Sequence, residues 1–408
     1  MSFDPTSPDG PRWAMVSTYP PTPCGLATFT HALVTAMAGL GARVDVVRVV
    51  DEAQPRSPSG VVHQLVAGSP PAATAAALNR YDVVMVQHEF GIFAGPDGEE
   101  LLGLLSRLRV PVVAVLHTVL ADPTPHQRLV LKGVIAAADL LVTMTRTARD
   151  RVVELYGADA GQVQVIPHGA PDALVAAARP GPRRGLGQLV ENVRAARPGA
   201  RPVILTWGLL GVGKGIEWGI EALGRLQDLS PRPLYVVAGR THPRVAEREG
   251  ERYREHLQAT AERHGVAGDV VFDDRYLDAA QLHRLVRSAD VVLLPYDSIE
   301  QVTSGVLIEA VAAGRPVVSS SFPHARELLG DGAGLLVGRQ NPEAIAAAVR
   351  RVLTEPGLAE QLSRRAAALA PDLSWRAVAG RYLASGQALA LAGRPEPAAV
   401  DGAAAVVA

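Results

Sequence analysis

Short apolar runs alternate with segments of helical period along most of the chain. In the first half, β-branched runs predict strands at RWAMVSTY, VDVVRVV, YDVVMVQHEF, VPVVAVLHTV, ADLLVTMT and VQVIPHG. The segments between them, such as ATFTHALVTAMAGLG and GEELLGLLSRL, have the period of amphipathic helices. Strands that are apolar on both faces and joined by helices are typical of a parallel sheet covered on both sides.

The same alternation restarts in the second half of the chain. There RPVILTWG, RPLYVVAG, VVFDD, ADVVLLPY, RPVVSS and GLLVG predict further strands. A stretch rich in Pro, Gly and Arg at residues 179–200 predicts a connector. We therefore predict an α/β protein with two doubly wound parallel-sheet domains, residues 1–178 and 199–371. A helix at about residues 374–392 is expected to pack back on the first domain, and residues 393–408 to form a disordered tail.

Composition excludes several classes of protein. With 40 Lys and Arg against 41 Asp and Glu, the net charge of -1 provides no field that would draw the chain onto nucleic acid. For the same reason, at most a weak peripheral contact with a membrane is expected. The single cysteine, Cys24, cannot form an internal disulfide, which favours a cytoplasmic location. No run of about 18 apolar residues predicts a membrane-spanning helix.

The loops that follow the strands are the first place to look for a site, because ligands of open parallel sheets bind beyond the carboxyl ends of the strands. In the first half, three strands end in a histidine: His88, His117 and His168. Each is interpreted either as a structural hydrogen-bonding residue or as part of a shared functional rim. Gly25, at the start of the first helix, either allows close approach of a ligand or belongs to an ordinary turn.

The segment GLLGVGKG nearly spells a phosphate-binding loop. Gly208, Gly213 and Lys214 fit the pattern G-x-x-x-x-G-K. Gly215, however, stands where a nucleoside triphosphatase needs a Ser or Thr hydroxyl to hold magnesium, so the ATPase interpretation is set aside. Lys214 follows a strand and precedes a helix, where its charge either binds a phosphate or is simply solvated.

The stretch LLPYDSIEQVTSGVLIEAV predicts a strand, a polar loop and a helix that begins near Ser304 or Gly305. The amides of Ser304, Gly305 and Val306 at the helix N-terminus are candidates for binding a diphosphate. Glu309, on the next turn, either accepts hydrogen bonds from both hydroxyls of a ribose or faces solvent.

Taken together, WGLLGVGKG, QVTSGVLIEAVAAGRPVV, VIPHG and PPTPCGLATFT resemble the motifs of the retaining nucleotide-sugar glycosyltransferases of family GT4. The stretch GRTHPRVAEREGERYREHL is similar to one subgroup of these enzymes. The resemblance covers about residues 14–390. It implies a GT-B fold, in which two Rossmann-like domains face a cleft, the second binding the sugar nucleotide and the first binding the acceptor.

The resemblance also implies roles for single residues. Lys214 matches the lysine that contacts the donor diphosphate. Glu309 matches the second glutamate of a paired-glutamate motif, which binds the ribose. The first glutamate of that motif falls at Gln301, so either Gln301 contacts the donor sugar or a shift of one residue lets Glu300 do so.

Further positions follow from the same resemblance. The family often has an arginine where this chain has Leu209, and Arg240 is the expected substitute at the diphosphate. His117 matches a histidine that lines the sugar pocket, and Gly25 matches the glycine of the first loop. The acceptor side is expected to hold His88, Glu89 and His168.

The implied reaction transfers a hexose from a nucleoside diphosphate sugar to an acceptor hydroxyl of a glycan, glycolipid or small metabolite, with the anomeric configuration retained. Positive groups stabilise the departing diphosphate, so no metal or other cofactor is expected. Asp273 and Asp274 are interpreted as an ordinary loop pair. Two alternatives stay open: a GT-B epimerase or phosphorylase, and a non-catalytic protein that binds sugar nucleotides, which Leu209 and Gln301 suggest.

Overall fold

The computed structural model describes residues 10–177, 201–241, 243–275 and 277–393, except for the side chains of residues 177, 243 and 244. The predicted connector at residues 179–200 lies outside the described residues, and so does the predicted tail apart from Gly393. Within the described ranges, no helix has both the length and the apolar composition needed to cross a membrane.

The first domain is a parallel sheet with helices on both faces. Its described strands are β1 (Arg12–Ser17), β2 (Arg43–Val50), β3 (Val61–Val66), β4 (Val83–His88), β5 (Val112–Leu116), β6 (Leu140–Thr143) and β7 (Val163–Val165). Its described helices are α1 (Gly25–Gly39), α2 (Ala72–Leu78), α3 (Glu100–Leu105), α4 (Pro125–Ala137) and α5 (Arg146–Tyr156). The strand order is β3-β2-β1-β4-β5-β6-β7, so the order reverses between β1 and β4.

Burial explains which strands could be predicted. β4 and β5, near the centre of the sheet, are buried at every position, which requires apolar runs such as VVAVL. β3 was not predicted. It is an edge strand with no fully buried residue, and His63 and Gln64 interrupt its apolar pattern.

The second domain repeats the architecture with a smaller parallel sheet. Its described strands are β8 (Val203–Trp207), β9 (Leu234–Ala238), β10 (Val270–Asp273), β11 (Val291–Leu294), β12 (Val317–Ser320) and β13 (Gly334–Val337). A short helix, α6 (Asp172–Ala177), precedes them. The later helices are α7 (Ile216–Gly224), α8 (Pro243–Glu249), α9 (Arg252–Arg263), α10 (Ala279–Ser288), α11 (Gly305–Ala312), α12 (Pro323–Leu329), α13 (Pro342–Thr354) and α14 (Leu358–Leu373). The order β10-β9-β8-β11-β12-β13 reverses between β8 and β11.

The chain passes between the domains earlier than predicted. Ala170 and Leu174 belong to the apolar core of the second domain, and α6 packs against α10, α11 and α14. The first domain therefore ends near residue 169 rather than at residue 178, because Leu174 finds its apolar partners in the second domain.

The last helix, α15 (Trp375–Ala392), returns to the first domain and packs beside α1. Trp375 and Tyr382 join the core cluster that contains Trp13 of β1. Gly386 is in direct contact with this cluster, since a Cβ at this position would overlap the Trp13 ring.

Side chains also connect the two domains across the cleft. Glu327 of α12 accepts hydrogen bonds from the backbone N–H groups of Arg146 (2.8 Å) and Thr147 (3.1 Å), at the positive end of α5. Val302, in the loop after β11, is buried in the core cluster of the first domain. These contacts connect the two domains beside the cleft.

Two glycines of α15 form a matched pair for testing how this helix packs. Gly386→Ala should lower the free energy of unfolding by about 1–3 kcal/mol, because the new methyl group has to displace the Trp13 ring. Gly380 has no heavy atom within 4 Å of an added Cβ, so Gly380→Ala should raise that free energy by about 0.5–1 kcal/mol. Urea denaturation measures both, and equal effects would contradict this packing.

Candidate active site

A cleft of about 1160 Å³ lies between the domains, at the carboxyl ends of both sheets. Of the predicted residues, it is lined by Gly25, Glu89, His117, His168, Lys214, Gln301, Gly305, Val306 and Glu309. Its described lining does not include His88, Arg240, Glu300 or Ser304. The cleft lies where the strand order of each sheet reverses, which is the usual ligand position in such folds.

The loop after β8 resembles a phosphate loop in its sequence only. Gly215 has a φ of 61°, in the left-handed region, and a Cβ there would collide with the carbonyl oxygen of Pro295. Serine or threonine cannot occupy this position. The packing of the backbone therefore excludes the hydroxyl that a nucleoside triphosphatase uses to hold magnesium.

Lys214 stands at the end of this loop and lines the cleft. Its Nζ lies 4.4 Å from the centroid of the Tyr296 ring, a distance typical of a cation–π contact. Burial lowers the pKa of Lys214. An ammonium group that rests on an aromatic face keeps its N–H donors for an anionic ligand.

Helix α11 begins at Gly305, as predicted, with Ser304 as its N-cap. The Ser304 hydroxyl accepts a hydrogen bond from the N–H of Leu307 (3.3 Å). The Ser304 amide does not point to a ligand, because it donates to Nδ1 of His324 (2.8 Å). The prediction of three free amides was therefore wrong at this residue. Gly305 and Val306 line the cleft, and first-turn amides have no acceptor within their own helix.

Glu309 is half-buried in the cleft wall and does not lie on the outer face of α11. Its Oε2 accepts a hydrogen bond from the indole N–H of Trp207, at 3.2 Å. Burial raises the pKa of Glu309 to about 7, and the bond from Trp207 opposes this shift. This carboxylate accepts one hydrogen bond from the described residues, which leaves lone pairs for ligand hydroxyls.

Two of the three rim histidines reach the cleft. Phe29 packs edge-on against the rings of His117 and His168, with centroid distances of 4.7 and 5.0 Å. Burial lowers the pKa of His117 to about 3 and that of His168 to about 4, so both rings are neutral near pH 7. Nδ1 of His168 donates to the Gly169 carbonyl (2.7 Å), and Nε2 lies beside α11, 3.1 Å from where a Cβ of Gly305 would be.

The structure does not place His88 on the acceptor side. His88 is 1% exposed, its ring packs against Phe90, and burial lowers its pKa to about 4. Alternate residues of a strand point to opposite faces of the sheet, and His88 at the end of β4 turns into the interior. Glu89 does line the cleft. It accepts hydrogen bonds from the Thr118 hydroxyl (2.5 Å) and the Phe90 amide (3.1 Å), and burial raises its pKa.

The two candidates for the first motif position have different hydrogen-bond partners, although both line a small cavity beside His117. Glu300 turns to the first domain, where its Oε2 lies 2.8 Å from a guanidinium nitrogen of Arg151 and 2.9 Å from the N–H of Ala121. Gln301 lines the cleft, and its amide donates to the Thr303 carbonyl (3.0 Å). The loop shift that would bring Glu300 to a ligand is not observed, because its carboxylate pairs with a cation of the other domain.

Arg240, the expected substitute for the arginine that Leu209 replaces, is not among the described residues that line the cleft. It follows β9, which lies on the far side of β8 from the reversal point. Its side chain is exposed, while its carbonyl accepts a hydrogen bond from the N–H of Leu210 (2.8 Å). Leu209 itself lines the cleft.

Gly25 begins α1 at the edge of the cleft. A Cβ at this position would have no heavy atom within 4 Å, so the protein itself does not require a glycine here. The open space next to Gly25 is therefore accessible to a ligand.

Sequence reasoning missed Trp207, His324 and Gln87. Trp207 ends β8, and an aromatic residue with an N–H group at the carboxyl end of a strand is a signal that could have been used. His324, at the start of α12, lies just beyond the end of β12. The three predicted histidines likewise lie at or just beyond the ends of their strands. Gln87 directly precedes His88 inside a buried strand, where its amide had no visible partner in the sequence.

The acidic pair Asp273 and Asp274 lies at the end of β10, and Asp273 makes a local contact. Asp273 accepts hydrogen bonds from the guanidinium of Arg275 (2.8 Å), and this contact lowers the pKa of Asp273. In the part of the chain that the structure describes, no three His, Cys, Asp or Glu side chains form a group that could hold a metal ion.

Comparison with known proteins shows a family that accounts for both domains. Residues 191–369 match the family described as Glycosyl transferases group 1, and residues 23–173 match Glycosyltransferase Family 4. This chain belongs to glycosyltransferase family GT4. The GT4 resemblance of its motifs is thereby confirmed.

Individual relatives agree with this assignment. A D-inositol 3-phosphate glycosyltransferase of Acidothermus cellulolyticus is 32% identical over 290 residues, which cover 66% of this GT4 chain but only 60% of the relative. A glycosyltransferase of Rickettsia africae has a TM-score of 0.72 at 14% identity, covering 93% of this chain and 98% of that one. Anabaena HepE, in complex with UDP, has a TM-score of 0.70 at 16% identity, covering 92% and 99%. These likenesses confirm the predicted GT-B fold.

Substitutions at Glu300 and Gln301 should affect different properties of the protein. Glu300→Ala should lower the free energy of unfolding by about 1–3 kcal/mol, because Arg151 and the Ala121 amide lose a charged partner. Gln301→Ala should change that free energy by no more than about 0.5 kcal/mol and should instead weaken binding of the donor sugar. Urea denaturation and donor calorimetry separate the two. Weaker donor binding in Glu300→Ala, with unchanged donor binding in Gln301→Ala, would contradict this assignment.

Proposed function

We propose that this GT4 protein transfers a hexose from a nucleoside diphosphate sugar to an acceptor hydroxyl, with the anomeric configuration retained. The observation that carries the proposal is the pairing of the Glu309 carboxylate with Trp207, in the same cleft as Lys214 and the N-terminus of α11. A carboxylate, a cation and helix amides in one cleft match a ligand that has hydroxyls next to a diphosphate.

Each part of the donor has a partner of suitable chemistry. The vicinal hydroxyls of a ribose donate to Glu309, and the diphosphate binds Lys214 and the amides of Gly305 and Val306. HepE, which has a similar fold, was crystallised with UDP, and this supports a nucleoside diphosphate as part of the donor. Gln301 is the proposed contact to the sugar from the loop after β11.

The same groups would promote the reaction. The barrier arises from separation of charge between a sugar with oxocarbenium character and the departing diphosphate, so donors aimed at the diphosphate lower it. Removal of one such donor costs about 2.7–4 kcal/mol in oxyanion holes, which sets the scale expected here. No step of this proposal requires a metal ion.

The acceptor half of the cleft has a long wall with many apolar side chains and one described arginine. Among the described lining residues, the lysines and arginines are Lys214 and Arg376, and Arg376 lies on α15, which packs on the first domain. The cleft follows α1 from Gly25 to Gly39, about 21 Å at 1.5 Å per residue, past Phe29 and other apolar side chains. We therefore favour a carbohydrate or lipid-linked acceptor. We also propose a cytoplasmic location, which the single cysteine supports.

Donor affinity should depend on the ionisation of Glu309. Below about pH 7 the free protein holds this group protonated, while the ribose hydroxyls stabilise the carboxylate, so binding has to release a proton. Affinity should therefore rise by up to about tenfold per pH unit towards pH 7 and then level off. Calorimetry with a nucleoside diphosphate between about pH 5.5 and about pH 8.5 measures this profile.

Glu309→Gln is the control for that experiment, because the terminal phosphate of the nucleoside diphosphate also loses a proton at about pH 6. The variant should lose the part of the pH profile that belongs to Glu309 and bind about tenfold more weakly at the highest pH, the loss expected for a charged hydrogen bond of about 1.5–3 kcal/mol. Identical profiles for the two proteins would refute the ribose assignment.

Lys214→Met should reduce turnover of a sugar nucleotide by about 100- to 1000-fold, because the departing diphosphate loses its cation. The melting temperature should change little, since the methionine keeps most of the apolar side chain. Lys132→Met, at an exposed position of α4, is the matched control and should leave turnover unchanged. Turnover is measured by release of the nucleoside diphosphate, and a strict requirement for magnesium after treatment with a chelator would contradict the proposal.

A further inference from the structure

Gln87 is a buried polar residue that the proposed reaction does not yet use. It lies on β4 and is 0% exposed, and its amide has one hydrogen-bond partner on the side of each neighbouring strand. Its Oε1 is 2.7 Å from Nε2 of His117, which follows the neighbouring strand β5. Its Nε2 is 3.1 Å from the sulfur of Met15, which lies on β1. An amide without solvent contact can satisfy its hydrogen bonds only through these two partners.

The chemistry of Met15 determines the orientation of this amide. A thioether sulfur has lone pairs and no proton, so it can only accept a hydrogen bond. The NH2 group of Gln87 therefore faces Met15, and its oxygen faces His117. The reverse orientation would place the amide oxygen against the sulfur, two acceptors without a proton between them.

The orientation of the amide in turn determines the tautomer of His117. An amide oxygen accepts but cannot donate, so Nε2 of His117 carries the proton and Nδ1 has a free lone pair. Burial lowers the pKa of His117 to about 3, with smaller contributions from His168 and His88, so the ring takes up no second proton near pH 7. The edge-on contact with Phe29 limits rotation of the ring.

We infer that Gln87 is a positioning residue, which together with Met15 holds His117 in the tautomer whose Nδ1 accepts a hydrogen bond from a sugar hydroxyl. The ring lines the cleft, and Nδ1 has no hydrogen bond to any of the described residues. That the hydroxyl belongs to a sugar rests on the proposed function. The tautomer rests on the contacts of Gln87 alone.

The tautomer can be measured without any substrate. In the full-length protein with 15N-labelled histidine, two-bond correlations between ring protons and nitrogens distinguish a protonated Nε2 from a protonated Nδ1. We expect His117 to be protonated on Nε2 throughout the pH range from about 6 to about 8, with His117→Asn used to assign its signals. A ring protonated on Nδ1, or a doubly protonated ring, would overturn the inference.

Two variants test the origin of the tautomer. Gln87→Leu removes the acceptor, and Met15→Leu keeps Gln87 but removes the sulfur that orients it, so both should show a measurable fraction of ring protonated on Nδ1. Gln162→Leu is the control, because this glutamine bonds the Ala138 carbonyl (2.6 Å) and no histidine. It should leave the His117 signals unchanged. Unchanged His117 signals in folded Gln87→Leu would show that Gln87 does not set the tautomer.

Binding measurements then separate positioning from a general loss of structure. Gln87→Leu should reduce kcat/KM for the sugar nucleotide by about tenfold, the upper range for one neutral hydrogen bond. Its affinity for the nucleoside diphosphate, which has no sugar, should stay within about twofold. Equal losses for both ligands would reject the role of His117 at the sugar. Failure of the wild-type protein to bind a nucleoside diphosphate would refute the proposed function and leave the tautomer unaffected.

Discussion

The carboxyl edges of two parallel sheets face each other across one cleft, and the arrangement of the site depends on this constraint. Each sheet reverses its strand order once, between β1 and β4 in the first domain and between β8 and β11 in the second. The segments that follow these strands supply Gly25, Glu89, Lys214 and Glu309. Arg240 follows β9, one strand away from the reversal, and is not among the described residues of the cleft.

Close contact between backbone segments limits the chemistry of the second domain. A Cβ at Gly215 would collide with the Pro295 carbonyl, and a Cβ at Gly239 with the Gly208 carbonyl. The loops after β8, β9 and β11 therefore touch through their backbones, and a hydroxyl side chain has no room at Gly215. In the proposed reaction, Lys214 and the amides of α11 stabilise the departing diphosphate, instead of a magnesium ion held by such a hydroxyl.

Local patterns predicted what depends on local contacts. The N-cap of α11 could be predicted because Ser304 bonds the amide of Leu307, three residues away. Two other contacts could not be predicted from the sequence. The Ser304 amide bonds His324, which is 20 residues away, and Glu300 bonds Arg151, which is 149 residues away. Packing alone brings those pairs together.

The same limit applies to the ionisation of the site. The sequence indicated Glu309 as a ligand group, but the raised pKa depends on its burial beside Trp207, which is 102 residues away in the chain. The strand β3 was missed for the opposite reason. Its partly exposed edge position allows polar residues that weaken the apolar signal.

A crystal structure of this protein with a nucleoside diphosphate bound is the most direct test of the account. We expect the diphosphate to contact Nζ of Lys214 and the amides of Gly305 and Val306, with the ribose hydroxyls donating to Glu309. A diphosphate bound outside the cleft, or a ribose that makes no contact with Glu309, would contradict the account.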